Sequence, residues 1–282
     1  MDRIKNKFDE LSGKGRTALV TYITAGDPSV DLTADIALKL EESGADIIEL
    51  GIPFSDPMAD GPVIQLASER ALKNGTNLDN VLETVRSIRK HSEIPIILFG
   101  YYNPFLSYGL KRFSSDAASA GVDGVLVVDL PPEEAGELKE HTDDAGLDLI
   151  FLLAPTSTHD RVNLVAQHAS GFVYLVSVTG VTGVRTDVDY SLASLCSEIK
   201  EATGLPVGVG FGISSPEHVE NFSAFADAVI VGSAIVRIIE EYGQDKEALL
   251  DNLSGFVGSL SVPCVRPEQG NQSKAQRTQS KA

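Results

Sequence analysis

The sequence predicts a closed (β/α)8 barrel, an α/β fold of the TIM-barrel class, with a short N-terminal helix capping one end. Three observations carry that prediction. Eight β-rich apolar runs alternate with polar segments of helical spacing. The runs are near-continuous rather than alternating, as in parallel strands covered by helices. The 282 residues suffice for eight such units, since these barrels reach roughly 250 residues as one domain. A doubly wound open sheet is the competing architecture, but a first-strand Gly-x-Gly-x-x-Gly is missing.

Met1–Ser12 reads as the leading helix, placed to cap the barrel bottom. The first strand is Ala18–Ala25, followed by a helical segment at Asp31–Ser43. The second is Asp46–Ile52, and it runs into a loop, Gly51 to Pro62, with three prolines and two glycines. Those residues rule out a helix across the loop. A helix at Leu78–His91 precedes the third strand, Pro95–Tyr101. The fourth to sixth strands are Gly124–Leu130, Asp148–Ala154 and Phe172–Val178. A helix at Tyr190–Thr203 leads to the seventh, Pro206–Phe211, and the eighth is Ala226–Val231. No linker splits this pattern, so residues 1–265 read as one barrel domain. Residues 266–282 are Gln/Ser/Lys-rich without apolar periodicity and read as a disordered tail.

Composition narrows the function. Apolar residues make up 43% and charged residues 22%, an ordinary globular mix. The net charge of −17 argues against nucleic acid, which wants a basic face. No stretch approaches the roughly 20 apolar residues of a membrane span, and the N-terminus lacks a signal-peptide core. A cytoplasmic location is expected. Cys196 and Cys264 lack zinc-ligand spacing and read as structural.

Chemistry in such a barrel sits at the C-terminal ends of the strands. Glu49 interrupts an apolar run that should be buried there, where an unpartnered carboxylate is costly. The bland reading is a Glu paired with a buried donor. At the catalytic end of a strand, burial would raise its pKa and suit it to proton transfer. The loop above adds Asp56 and Asp60. Either alone is ordinary turn chemistry, but a second carboxylate facing Glu49 would divide acid and base roles. The seventh and eighth strands end in Gly208-Val209-Gly210-Phe211-Gly212 and Val231-Gly232-Ser233, the latter opening a helix. Glycines and a helix N-terminus at these two strands suit a phosphate. The sixth loop, Ser177 to Thr186, has small and hydroxylated residues that suit either a lid or an ordinary surface loop.

Other chemistries find no support. The 12 lysines all lie outside the strand runs, which disfavours a Schiff-base aldolase. The five histidines, His91, His141, His159, His168 and His218, lack metal-ligand spacing. No nucleophilic Cys or Gly-x-Ser-x-Gly is present.

The segment Glu49-Leu50-Gly51-Ile52-Pro53-Phe54-Ser55-Asp56-Pro57-Met58-Ala59-Asp60-Gly61-Pro62 closely resembles the signature of the tryptophan synthase α-subunit family. Gly100-Tyr101-Tyr102-Asn103-Pro104, Asp129-Leu130-Pro131, Gly180-Val181-Thr182-Gly183 and Gly210-Phe211-Gly212-Ile213 follow in family order. The resemblance covers the chain to about Pro263. It implies a lyase that cleaves indole-3-glycerol phosphate by retro-aldol chemistry into indole and glyceraldehyde 3-phosphate. It implies a β-subunit partner in an α2β2 assembly, with pyridoxal phosphate only in that partner and no cofactor or metal here. By resemblance Glu49 and Asp60 are catalytic, and Tyr22, Tyr101, Asp129, Tyr174, Thr182 and Phe211 line the substrate pocket. Gly183, Gly212, Gly232 and Ser233 match phosphate contacts, and Thr182 matches a lid residue that helps order the Asp. Two positions depart from the pattern. Tyr22 stands where many members have Phe, and Val178 or its neighbour stands where many have Arg. The alternative readings are another phosphate-binding barrel enzyme or a non-catalytic activator of the β subunit.

Overall fold

The computed structural model describes residues 2–176, 186–210 and 212–264. Eight parallel strands close in chain order into one barrel: β1 Ala18–Thr24, β2 Ile47–Gly51, β3 Ile96–Gly100, β4 Gly124–Val127, β5 Asp148–Leu153, β6 Val173–Val176, β7 Val207–Gly210 and β8 Ala228–Val231. The helices are α1 Arg3–Gly13, α2 Val30–Glu42, α3 Pro62–Lys73, α4 Leu78–Arg89, α5 Tyr102–Tyr108, α6 Leu110–Ala120, α7 Gly136–Ala145, α8 His159–His168, α9 Thr186–Thr203, α10 Pro216–Ser223, α11 Ser233–Tyr242 and α12 Lys246–Ser261. Among the described residues, the second, third and eighth strands are each followed by two helices, so α3, α5 and α11 exceed one helix per strand. The barrel and its leading helix are as the apolar pattern predicts.

Local chemistry sets the helix starts. Asn77 and Asn80 cap α4 reciprocally, each side chain accepting the other's N–H at 3.1 Å. Thr158, Ser215 and Asp245 accept first-turn N–H groups of α8, α10 and α12. Pro62 opens α3, where its missing N–H costs nothing.

Alternate residues of each strand face two different cores. Val20, Ile47, Ile97, Leu126, Ile150 and Ile230 point into the barrel. Leu19, Ile48, Leu98, Val125, Leu149 and Val229 pack outward against the helices. Both faces are apolar, which is why the sequence shows runs rather than alternation. Ile4, Phe8 and Leu11 of α1 join the inner core and plug its N-terminal end.

Carboxylates at strand starts stitch that end together. Asp46, Asp123 and Asp227 accept the N–H groups of Leu19, Ile96 and Val207 at 2.9, 2.8 and 2.9 Å. Arg89 and Arg3 meet the fully buried Asp123 side chain at 2.7 and 3.0 Å, which ties α1 and α4 to β4. Truncating one member of such a buried pair costs about 3–5 kcal/mol.

The strands are shorter than the apolar runs. β4 stops at Val127 because the chain turns there, the Leu130 N–H reaching the Val127 carbonyl. β7 starts after Pro206, which has no N–H to pair. α9 begins at Thr186, four residues before the expected Tyr190. The expected tail, residues 266–282, lies outside the described residues.

Candidate active site

The top of the inner core is polar. Tyr22, Glu49 and Phe99 lie on β1, β2 and β3, two residues beyond the inward-facing Val20, Ile47 and Ile97. Tyr22 and Glu49 are register partners. Tyr174 on β6 also packs against the inner core. The Tyr22 ring meets Phe99 edge-on with centroids 5.2 Å apart.

Glu49 is only 1% exposed, and its Oε1 has no hydrogen-bond partner among the described residues. Burial pushes its carboxyl up to about 8. At neutral pH it therefore carries a proton, because burial disfavours the charged form. The expected bland alternative, a Glu satisfied by a buried donor, does not describe this oxygen.

Asp56 and Asp60 go separate ways. Asp56 is exposed and accepts the Ser55 hydroxyl at 2.5 Å. Asp60 is half-buried and held by Tyr101. The Tyr101 hydroxyl also accepts the Ala59 N–H at 2.9 Å, so one side chain fixes the loop backbone and the carboxyl together. Burial raises Asp60 to about 6, and the bond from Tyr101 opposes the rise. Asp60 is thus mostly ionised at pH 7 while Glu49 is mostly neutral. The buried Tyr22 hydroxyl feels both carboxylates; burial first, then Asp60 and more weakly Glu49, push its pKa up. Its hydroxyl pairs with Thr24 Oγ1 at 3.3 Å.

Two inward-facing glycines make room for the tyrosines. A Cβ on Gly51 would stand 2.2 Å from the Tyr22 hydroxyl, and one on Gly210 2.4 Å from that of Tyr174. Gly210→Ala should therefore displace Tyr174. The cost is about 1–3 kcal/mol of stability, as for other overpacked cores. Steady-state turnover and a thermal melt check this: kcat/KM should fall more than the melt alone explains, whereas unchanged kinetics would mean Tyr174 is idle.

Tyr101 is the N-cap of α5 and is buried. Asp129 is exposed, and its carboxylate accepts the Tyr102 N–H at 2.7 Å, holding the first turn of α5. Gly212 follows β7 with φ +69°. Gly232 is the N-cap of α11 and Ser233 its first residue, with no side chain capping that end. Thr182, Gly183 and Phe211, and with them the sixth loop through Arg185, lie outside the described residues. Sequence reading missed Phe99 and Thr24. The period-two spacing Ile97, Phe99, Tyr101 was the available signal for the first. It also missed the packing of Ile64 and Ala67 of α3 and Val236 of α11 against Tyr22.

A cavity of about 530 Å³ opens at the opposite end, between α1 and the strand starts. Two ion pairs, Lys5 with Asp9 and Lys200 with Asp227, line it. Among the described residues no group of three or more His, Cys, Asp or Glu is placed to hold a metal ion. No helix among them is long and apolar enough to cross a membrane.

Comparison with known proteins gives one answer. The family model described as tryptophan synthase alpha chain matches residues 8–263. The tryptophan synthase alpha chain of Geobacter sp. (strain M21) is 55% identical over 260 residues, 92% of this chain and 97% of that one. The corresponding protein of Solibacter usitatus is 52% identical, covering 92% and 97%. The crystal structure of tryptophan synthase subunit alpha from Legionella pneumophila superposes with a TM-score of 0.86 at 42% identity, covering 94% of this chain and 98% of that one. A structure of Mycobacterium tuberculosis tryptophan synthase in its open form gives 0.84 at 34% identity, covering 94% and 99%.

Proposed function

Because this chain belongs to the tryptophan synthase alpha-chain family, we propose that Glu49 and Asp60 are the acid–base pair of its reaction. The alpha reaction of tryptophan biosynthesis is its activity: cleavage of indole-3-glycerol phosphate into indole and glyceraldehyde 3-phosphate. The observation that carries the residue assignment is the Glu49 carboxyl, buried, neutral at pH 7 and with one oxygen unpartnered among the described residues.

The roles follow from the charges. Glu49 delivers its proton to the indole carbon that bears the side chain. Positive charge then appears on the indole nitrogen, and ionised Asp60 accepts the N–H hydrogen bond and stabilises it. Glu49, now a carboxylate, takes the proton of the side-chain hydroxyl. The O–H electron pair becomes the aldehyde C=O, and the carbon–carbon pair returns to the ring as indole. Glu49 ends protonated, so the cycle closes without a net proton. Tyr22, Tyr101 and Tyr174 wall the indole pocket, with Asp129 steadying Tyr101 through α5. Thr182 and Phe211 join them by resemblance. The N-terminus of α11 at Gly232 and Ser233 takes the phosphate, with Gly212 beside it and Gly183 from the lid.

The family implies a β-subunit partner. We place the chain in an α2β2 heterotetramer, with pyridoxal phosphate in the β subunit and no cofactor of this chain's own. Residues 1–265 act as one domain, since α1 packs into the inner core. A cytoplasmic location fits the two unpaired, buried cysteines. The test is indole release from indole-3-glycerol phosphate, with the chain alone and with its β partner, beside sedimentation of the mixture. Release that rises with the partner and a four-chain particle are expected. Absence of release in both conditions would overturn the proposal.

A further inference from the structure

The carboxylate loop and the phosphate seat belong to two of the extra helices. Asp60 lies two residues before α3, next to its N-cap Gly61, and Gly232-Ser233 opens α11. These helices pack against each other and against β1. Near the site the contact is apolar: Ile64 and Ala67 of α3 and Val236 of α11 meet around Tyr22. One turn further along the same stripe of α3 stands Arg70.

Arg70 is shared by three elements. Its Nε and a terminal nitrogen grip the two oxygens of Asp27 at 2.8 and 2.9 Å. Its other terminal nitrogen donates to Glu240 of α11 at 2.9 Å. Asp27 lies in the loop after β1 with its side chain 1% exposed. The Asp27–Arg70 contact is a two-point fork that fixes orientation as well as distance. The same loop is tied to α3 again, because Asn74 donates to the Gly26 and Pro28 carbonyls at 3.2 and 2.6 Å.

We propose that Arg70 is a positioning residue that, through Asp27 and Glu240, locks α3 to α11 and so holds the Asp60 loop and the phosphate seat in one unit. The proposal rests on the assignment of Asp60 and of the α11 N-terminus made above. A substrate that reaches both ends needs their separation fixed. A loose joint lets the phosphate bind without bringing the indole nitrogen to Asp60.

The test uses Arg70→Gln, Arg70→Lys, Glu240→Gln and Ser233→Asp in the complex with the β subunit, assayed well below each thermal midpoint. Arg70→Gln is expected to lower kcat and raise KM by about tenfold each, the scale of a sub-ångström misplacement. Arg70→Lys, which keeps one ion pair but not the fork, should recover part of kcat. Glu240→Gln weakens the link between α3 and α11 itself and should lower kcat several-fold with a smaller effect on KM. A merely structural Arg70 would lower the midpoint and leave kcat and KM of the folded enzyme alone; values within twofold of the parent for Arg70→Gln would overturn the proposal. Should that variant fail to fold, an unchanged kcat in Glu240→Gln, which is 45% exposed in the parent, overturns it instead. Ser233→Asp separates the two levels. It should raise KM sharply by repelling phosphate, and if it does not, the phosphate seat itself is wrong rather than the coupling.

Discussion

Glu49→Gln should abolish indole release while leaving the barrel intact. Glutamine is nearly the same size and fills the same buried space, but it has no proton to give or take. The residue is assigned two transfers, one to the ring carbon and one from the hydroxyl. General acid–base catalysis of this kind contributes about 10²–10⁴-fold, so kcat should fall by about 10³-fold with KM little changed. Near-normal turnover would remove Glu49 from the mechanism. The same substitution has an independent stability signature. The Glu49 carboxyl moves from its ordinary 4.5 to about 8 on folding. Between those values the folded chain holds a proton that the unfolded chain has lost, so stability falls as pH rises through the window. The full loss is on the order of 4 kcal/mol above it. The glutamine variant escapes that loss. Its thermal midpoint should exceed the parent's by a margin that widens from pH 6 to pH 8.5.

Asp60→Asn is the second large effect. The amide still accepts a hydrogen bond from the indole N–H, so substrate binds, but it offers no negative charge to the cationic ring. Removing one preorganised electrostatic contact of this kind costs about 10²–10³ in kcat. The loss should fall on kcat rather than KM, because the charge exists only along the reaction path. Steady-state indole release in the presence of the β subunit checks this. A large KM increase with unchanged kcat would instead make Asp60 a plain binding group.

The two carboxylates were not equally legible. Glu49 was readable because a charged residue in a continuous apolar run demands an explanation. Asp60 and Asp56 have the same local signal, an acid among prolines and glycines; the family resemblance picks Asp60, and the fold gives the physical difference. One turns outward to Ser55 and the other inward to Tyr101. The barrel itself was plain from eight apolar runs, yet those runs hid which residues face inward. Strands buried on both faces carry little polar alternation, so Phe99 and the Tyr22 edge contact emerged only with the register. Asp129 was placed by resemblance in the substrate pocket, and the fold shows its carboxylate holding the first turn of α5. The Arg70–Asp27 fork joins residues 43 apart in sequence, and ion pairs over that span leave no local pattern. Thr182, Gly183 and Phe211 stand on sequence resemblance alone.

The division of acid and base roles between Glu49 and Asp60 sets the pH dependence of kcat/KM for indole release. Asp60 must be ionised and Glu49 protonated in the free enzyme. The profile should be a bell that rises through about 6 and falls through about 8. Asp60→Asn should flatten the acid limb of whatever activity remains. A profile that keeps climbing past pH 9 would contradict this division, because Glu49 would then start the reaction as a carboxylate rather than as an acid.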